Sequence, residues 1–446
     1  MTDSNVVHIV HAIDTEGPLY EPLSATFERL RDTFGIEIDP THANLEKLKN
    51  KQVPLDGRED VVADFLNPFR MKYHETWASL EAMLANIMGD KFRRELPDSF
   101  GGGWVYNWHC VDHVGYTSNP RHKDLGFHNI SDRYEEFLDK YNSRDRDAIE
   151  WHFHPMSTYQ EAHRCATSYE NSPHLHEGLC RKIIDRNFFP VVFRAGFHTE
   201  RPDSHWFLEQ WIPYDCSNIA ADNAEQREAQ NDLRNGRFGD WRRAPADWSI
   251  YNPDFYDYQK PGSCRRYIAR FLNIDSRVAC ITQEEVDKAF RRAAGGEPTL
   301  MGVLSHDYRD IAVEVNRVRE LVAEAAKAHP EVQFKYSTAR EAFKQVVHRG
   351  RHEKLQLEVK LGKTGSNFHL EVRTKESRVF GPQPYLAIKT RSGRFIHDNF
   401  DFGLDGQSWH YVFDADSVLS SDLEVVAVAA NNRFGDTFLE TIRVNE

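Results

Sequence analysis

The chain has 446 residues, with 56 Lys and Arg against 69 Asp and Glu, for a formal charge of −13. That length exceeds one ordinary domain, and its interspersed acidic residues leave no basic footprint for a nucleic acid. The amino terminus lacks the basic start, apolar stretch and cleavage site of a signal peptide, and no apolar run reaches membrane-spanning length, so a cytoplasmic protein without membrane insertion is expected. The six cysteines, Cys110, Cys165, Cys180, Cys216, Cys264 and Cys280, form no CxxC pair and read as mostly buried, reduced thiols.

Val6 to Ile13 is a short β-branched run that stops at Asp14-Thr-Glu16-Gly-Pro, the composition of a buried strand ending in a turn. From Ser24 to about Glu95 the apolar residues take helical spacing (Phe27, Leu30, Phe34, then Trp77, Leu80, Met83, Leu84, Ile87), which predicts a helical insertion over about 19–97. Strands are expected at Gly103 to Cys110, Ala148 to His154, Val191 to Phe197 and Thr299 to His306, with helical stretches between several of them and a helix from Asn316 to about Ala328. Alternation of this kind indicates a parallel sheet with covering helices, open or closed into a barrel, whose ligand sites collect at the carboxyl ends of the strands.

The texture changes at the basic linker from His348 to Lys354, which divides the chain into a first domain over 1–347 and a second over 352–446. Leu355 to Leu361, Phe368 to Val372, Tyr385 to Ile388, Trp409 to Phe413, Leu423 to Ala430 and Phe438 to Val444 read as short strands separated by Gly, Asn and Asp turns. They predict an antiparallel sandwich that could bind glycan, join copies of the chain in a homo-oligomer, or cover an edge of the first domain.

Four polar groups fall at predicted strand ends. Asp14 and Glu16 share a face if the strand stays extended, so one could bind a metal while the other takes a proton; an isolated DxE is more often a capped turn. His152 and His154 alternate along a strand and can present both imidazoles to one ion, with Pro155 ending the strand at a rim. Arg194 in Phe-Arg-Ala-Gly could hold a carboxylate bidentately. His306, in Ser-His-Asp after an apolar run, could give a proton to a leaving amine. Each has a bland alternative in a core histidine, a structural ion pair or a turn, but the four occur in order along one α/β region.

In that order the chain resembles the polysaccharide deacetylases over roughly residues 6 to 345. The resemblance implies a distorted (β/α) barrel of deacetylase type, Asp14 as general base, Arg194 holding that base, His306 as acid, and Glu16, His152 and His154 as ligands of a divalent metal, most simply Zn²⁺. The family's usual patterns differ from DxE and HxH, so Asp14 could replace Glu16 as ligand, and His163 or His109 could be the third donor. The family's Asp-Trp motif has two candidates, Asp240-Trp241 and Asp247-Trp248, which make Asp240, Trp241 and Trp248 the expected substrate-binding residues. The implied reaction is hydrolysis of an acetamido group on a cytosolic sugar intermediate of polysaccharide biosynthesis, releasing acetate. A hydrolase of a non-sugar linear or cyclic amide, and a non-catalytic carbohydrate-binding barrel, are the alternatives.

Overall fold

A computed structural model describes residues 5–67, 71–155, 169, 172–222, 239–275 and 279–444. Seven parallel strands close into a barrel: β1 (Val6–Thr15), β2 (Tyr106–Cys110), β3 (Ala148–Phe153), β4 (Val192–Ala195), β5 (Tyr214–Asn218), β6 (Tyr267–Asn273) and β7 (Thr299–His306). Closure rests on β1, whose one edge pairs with β7 from Val7 to Asp14 while its other edge is shared. The first half of that edge pairs with β8 (Gln333–Tyr336), and the second half, His11 to Thr15, pairs with β2. All ten residues of β1 are buried, which explains why its sequence is a nearly continuous apolar run and not an alternating one.

The strands expected from sequence are present with shifted ends. The second begins at Tyr106, after the buried Trp104, and the fourth stops at Ala195, where Gly196–His198 forms a tight turn. Three strands of the first domain, β5, β6 and β8, are not among those expected from sequence. Tyr-Asp-Cys-Ser-Asn in β5 is too short and polar to announce itself, yet every residue in it is buried. The helix expected from Asn316 starts earlier, at Ile311, where the Asp310 side chain accepts from Ala312 N. Among the described residues, five helices, from Leu23–Phe34 to Asp90–Arg93, lie between β1 and β2 as the insertion. Part of the insertion returns to the barrel rim, because Leu19 N donates to His74 O and His74 N to Tyr308 O.

Beyond the helix Ala339–His348 come two four-stranded antiparallel sheets. One is built from β9 (Gln356–Thr364), β10 (Asn367–Glu376), β13 (Asp401–Phe402) and β14 (Ser408–Phe413). The other contains β11 (Tyr385–Thr390), β12 (Phe395–Asp398), β15 (Leu423–Asn431) and β16 (Thr437–Arg443). Leu370, Val372 and Trp409 of the first pack against Leu386, Ile388, Val426 and Val428 of the second, a sandwich core. The second sheet's outer residues Tyr385, Ala387, Ala427 and Ala429 pack with Trp151, Phe193, Phe207 and Trp211 of the barrel. No helix among the described residues is long and apolar enough to cross a membrane.

Asn431 fastens the two units, since its Nδ2 donates to both Pro190 O (2.7 Å) and Trp211 O (3.0 Å). Asn431→Ala strands both buried carbonyls and is expected to cost about 1–3 kcal/mol. Urea denaturation reads that loss, and an unchanged midpoint would rule out this fastening.

Candidate functional site

Asp14 on β1 and Arg194 on β4 meet across the barrel, with two strands between them on one side and three on the other. Arg194 Nε lies 2.5 Å from Asp14 Oδ1 and its Nη2 2.9 Å from Oδ2, a bidentate pair in which the arginine side chain is fully buried. The remaining guanidinium protons reach Cys216 O (3.2 Å) and His198 Nδ1 (3.1 Å). Burial alone opposes ionisation of Asp14, but the charges of Arg194, then His152 and His306, outweigh it and hold the carboxyl well below the usual range.

Pairing of β3 with β4 sets His152 opposite Arg194. His152 donates from Nδ1 to Arg194 O (2.9 Å), which leaves its Nε2 unprotonated, the form in which it can act as a ligand. That nitrogen is 2.8 Å from His154 Nε2, which in turn lies 3.7 Å from Glu16 Oε1. One donor atom from each of Glu16, His152 and His154 falls within 4.8 Å of the other two. Two neutral imidazoles and one carboxylate are donors that a divalent metal ion accepts. Burial lowers His152 to about 3 and also lowers His154, so both rings are unprotonated near neutrality. The residues present therefore fit a divalent ion.

The turn that follows β4 makes room for this arrangement. A Cβ on Gly196 would sit 2.3 Å from His154 Cδ2, so the imidazole occupies space that only glycine leaves. Phe197 and His198 follow with φ of 53° and 52°, a left-handed conformation uncommon outside glycine, and it returns the His198 ring to Arg194.

After β1, the chain is held by Asp307, whose two oxygens accept from Glu16 N (3.0 Å) and Gly17 N (2.8 Å) while Tyr134 donates to Oδ2 (2.9 Å). Asp307 is thus a clamp on the turn that carries Glu16. His306 Nε2 lies 3.6 Å from Asp14 Oδ2, and its side chain keeps 27% exposure, the most open group of this cluster. Burial lowers it to about 4, against the opposing pull of Asp14 and Glu16.

The structure brings Asp14, Glu16, His152, His154, Arg194 and His306 together. His109 is buried beside Asp14 through strand register, outside the three-residue donor cluster, and His163 lies outside the described residues. The three expected substrate-binding residues have the following surroundings. Trp241 is fully buried with its indole N–H donated to His198 O (2.8 Å), so it supports the turn after β4. Trp248 is buried under the Arg270 guanidinium and donates to Glu285 O (2.9 Å), which leaves no ring face for a sugar. Asp240 is engaged by its neighbour Arg242. Sequence reasoning missed His198, Lys123 and the role of Gly196; a glycine close after Arg194 was the visible signal for the last. No protein-family model matches the chain, and no curated protein matches it either.

Two expectations follow. Gly196→Ala displaces the His154 ring and lowers Co²⁺ or Zn²⁺ affinity about tenfold or more with the fold retained, as titration calorimetry and circular dichroism would read. Without metal, His11, His109, His113 and His152, each lowered to about 3 by burial, must gain protons on unfolding at pH values between about 3 and 6.5. At these four groups the unfolded chain binds more protons in that window, so their contribution to stability falls as pH drops through it, by up to about 1.4 kcal/mol per pH unit for each group. The loss is offset in part by buried Asp307, Glu150 and Glu314, which burial raises to about 7, 8 and 7 and which act in the opposite direction. Melting temperatures flat from pH 7 to 4.5 would contradict this.

Proposed function

We propose that this protein is a divalent-metal-dependent amide hydrolase of polysaccharide deacetylase type, acting on an acetamido sugar or sugar intermediate and releasing acetate. The observation that carries the reading is the Glu16, His152 and His154 donor cluster set beside an arginine-tethered aspartate at the carboxyl end of a parallel barrel. The order of the motifs along the chain supports the deacetylase type and the sugar substrate.

Glu16, His152 and His154 would hold the ion, most simply Zn²⁺. When bound, it supplies Lewis-acid polarisation of the amide carbonyl and stabilises the charge that develops on its oxygen. Asp14, kept ionised and oriented by Arg194, takes a proton from the attacking water. His306, 3.6 Å from Asp14 Oδ2 and neutral at rest, would receive the proton that Asp14 takes from the water and pass it to the departing nitrogen, so that one amide and one water become acetate and a free amine. Its partial exposure supports a leaving group on the open side of the site. Tyr308, with Tyr73 of the insertion edge-on against it at 5.6 Å, forms a wall beside His306.

Incubating the zinc-loaded protein with a panel of acetamido sugars and nucleotide-linked acetamido sugars, with acetate detected enzymatically, tests the reading. Turnover is expected on at least one sugar, abolished by a chelator and reduced by about 10²–10⁴-fold in Asp14→Asn. Hydrolysis confined to non-sugar amides would replace the substrate class, and full activity after complete metal removal would remove the metal from the account.

A further inference from the structure

Lys123 is a charged group at the site that the chemistry above leaves without a role. It stands in the loop between β2 and the helix Asn129–Lys140, yet is only 7% exposed. Its Nζ donates to Glu16 Oε2 at 2.7 Å and lies 5.2 Å from the centroid of the Tyr308 ring. Burying an ammonium is costly unless it is paired, so the loop must hold it there against solvation.

The loop is built to do so. Asn119 clamps the backbone of Lys123 from both sides, accepting from Lys123 N (2.8 Å) and donating to Lys123 O (2.7 Å). On one flank the His122 ring stacks on Tyr20 at 4.6 Å, Arg121 O accepts from Tyr20 N, and Arg121 Nε pairs with Glu21 Oε2 at 2.9 Å. Nearer β2, the His113 ring bonds Glu16 O through Nε2 at 2.9 Å, and His113 O accepts from Gly126 N. The loop is thereby fastened to the Glu16–Glu21 segment on either side of Lys123.

We infer that Lys123 is a positioning residue that reserves one oxygen of Glu16, so that the carboxylate offers the other, Oε1, alone to an ion shared with His152 and His154. The inference rests on the metal-centre reading above. A carboxylate with both oxygens free can close on an ion through both and fill the positions that water and the substrate carbonyl need. With Oε2 occupied, only the atom that faces His154 is available. Charge follows the same logic. Asp14 is matched by Arg194 and Glu16 by Lys123, two carboxylates against two cations, so the neutral imidazoles leave the full charge of a bound divalent ion to act on the carbonyl. This pairing also accounts for a glutamate at the second acidic position, whose longer side chain reaches the lysine and the histidines together.

The test compares wild-type protein with Lys123→Met, Lys123→Arg and His152→Ala, using Co²⁺ alone as the probe and its visible d–d bands as the readout. Lys123→Met keeps the aliphatic stem and removes the charge. It is expected to bind Co²⁺ with altered band intensity, reporting a changed coordination number, and to lose about 10–100-fold in kcat on any amide the wild type cleaves, with KM little changed. Lys123→Arg restores the wild-type spectrum in whole or part, which separates a charge effect from a folding defect. A Lys123→Met spectrum that superimposes on wild type overturns the inference. If no amide is cleaved but the spectrum depends on Lys123, the hydrolase reading fails and the inference stands. If Co²⁺ uptake is the same in His152→Ala, the metal centre is elsewhere and both fail.

Discussion

The ion pair of Asp14 and Arg194 across the barrel is the constraint on which the site depends. Removing two charges from water costs several kcal/mol per ion, repaid only when the geometry is good and the remaining protons are satisfied. Here the guanidinium makes two bonds to one carboxylate and others to Cys216 O and His198 Nδ1. Because these partners come from β1, β5 and the turn after β4, the pair also fixes how the strands converge at that end of the barrel. The backbone carbonyl of the same arginine sets the tautomer of His152, so one residue orients both the proposed base and the firmest of the proposed ligands.

Around that pair the site is closed by pieces distant in sequence. Asp307 grips the turn after β1, the loop carrying Lys123 holds both the backbone and the side chain of Glu16, and the helical insertion supplies the wall behind Tyr308. Burial pushes Asp307 up to about 7 even though three donors face it, which shows how little solvent reaches the floor of the cluster. The histidines feel the same environment in the opposite direction and stay neutral, the form in which they can bind a metal. A site of this kind combines charge pairs that cancel with donors that remain uncharged.

Much of this arrangement was legible in the sequence because the proposed chemistry sits on strands. An apolar run ending in Asp14, an alternating histidine pair and an apolar run ending in His306 carry their positions in their periodicity, and the barrel with its following sandwich could be read from the same patterns. What could not be read came from loops and short polar strands. Nothing local marks Lys123, one lysine in a polar stretch, as a buried partner of a residue 107 positions earlier. Trp241 and Trp248 stood in an aromatic-rich region that resembles a sugar platform, but an indole N–H with a backbone acceptor beneath it belongs to the core, and sequence does not show where that acceptor is. Gly196 was visible only as a glycine close after Arg194, whereas its use is the absence of a Cβ against His154.

The central claim is that Glu16, His152 and His154 form a metal centre beside the tethered Asp14. An anomalous-difference map at the zinc edge, from crystals grown with Zn²⁺, tests it most directly. The account predicts a peak within bonding distance of His152 Nε2, His154 Nε2 and Glu16 Oε1, with Lys123 still on Oε2. A map with no peak among these three residues, or with the zinc held by Asp14 and Arg194 displaced, would contradict it.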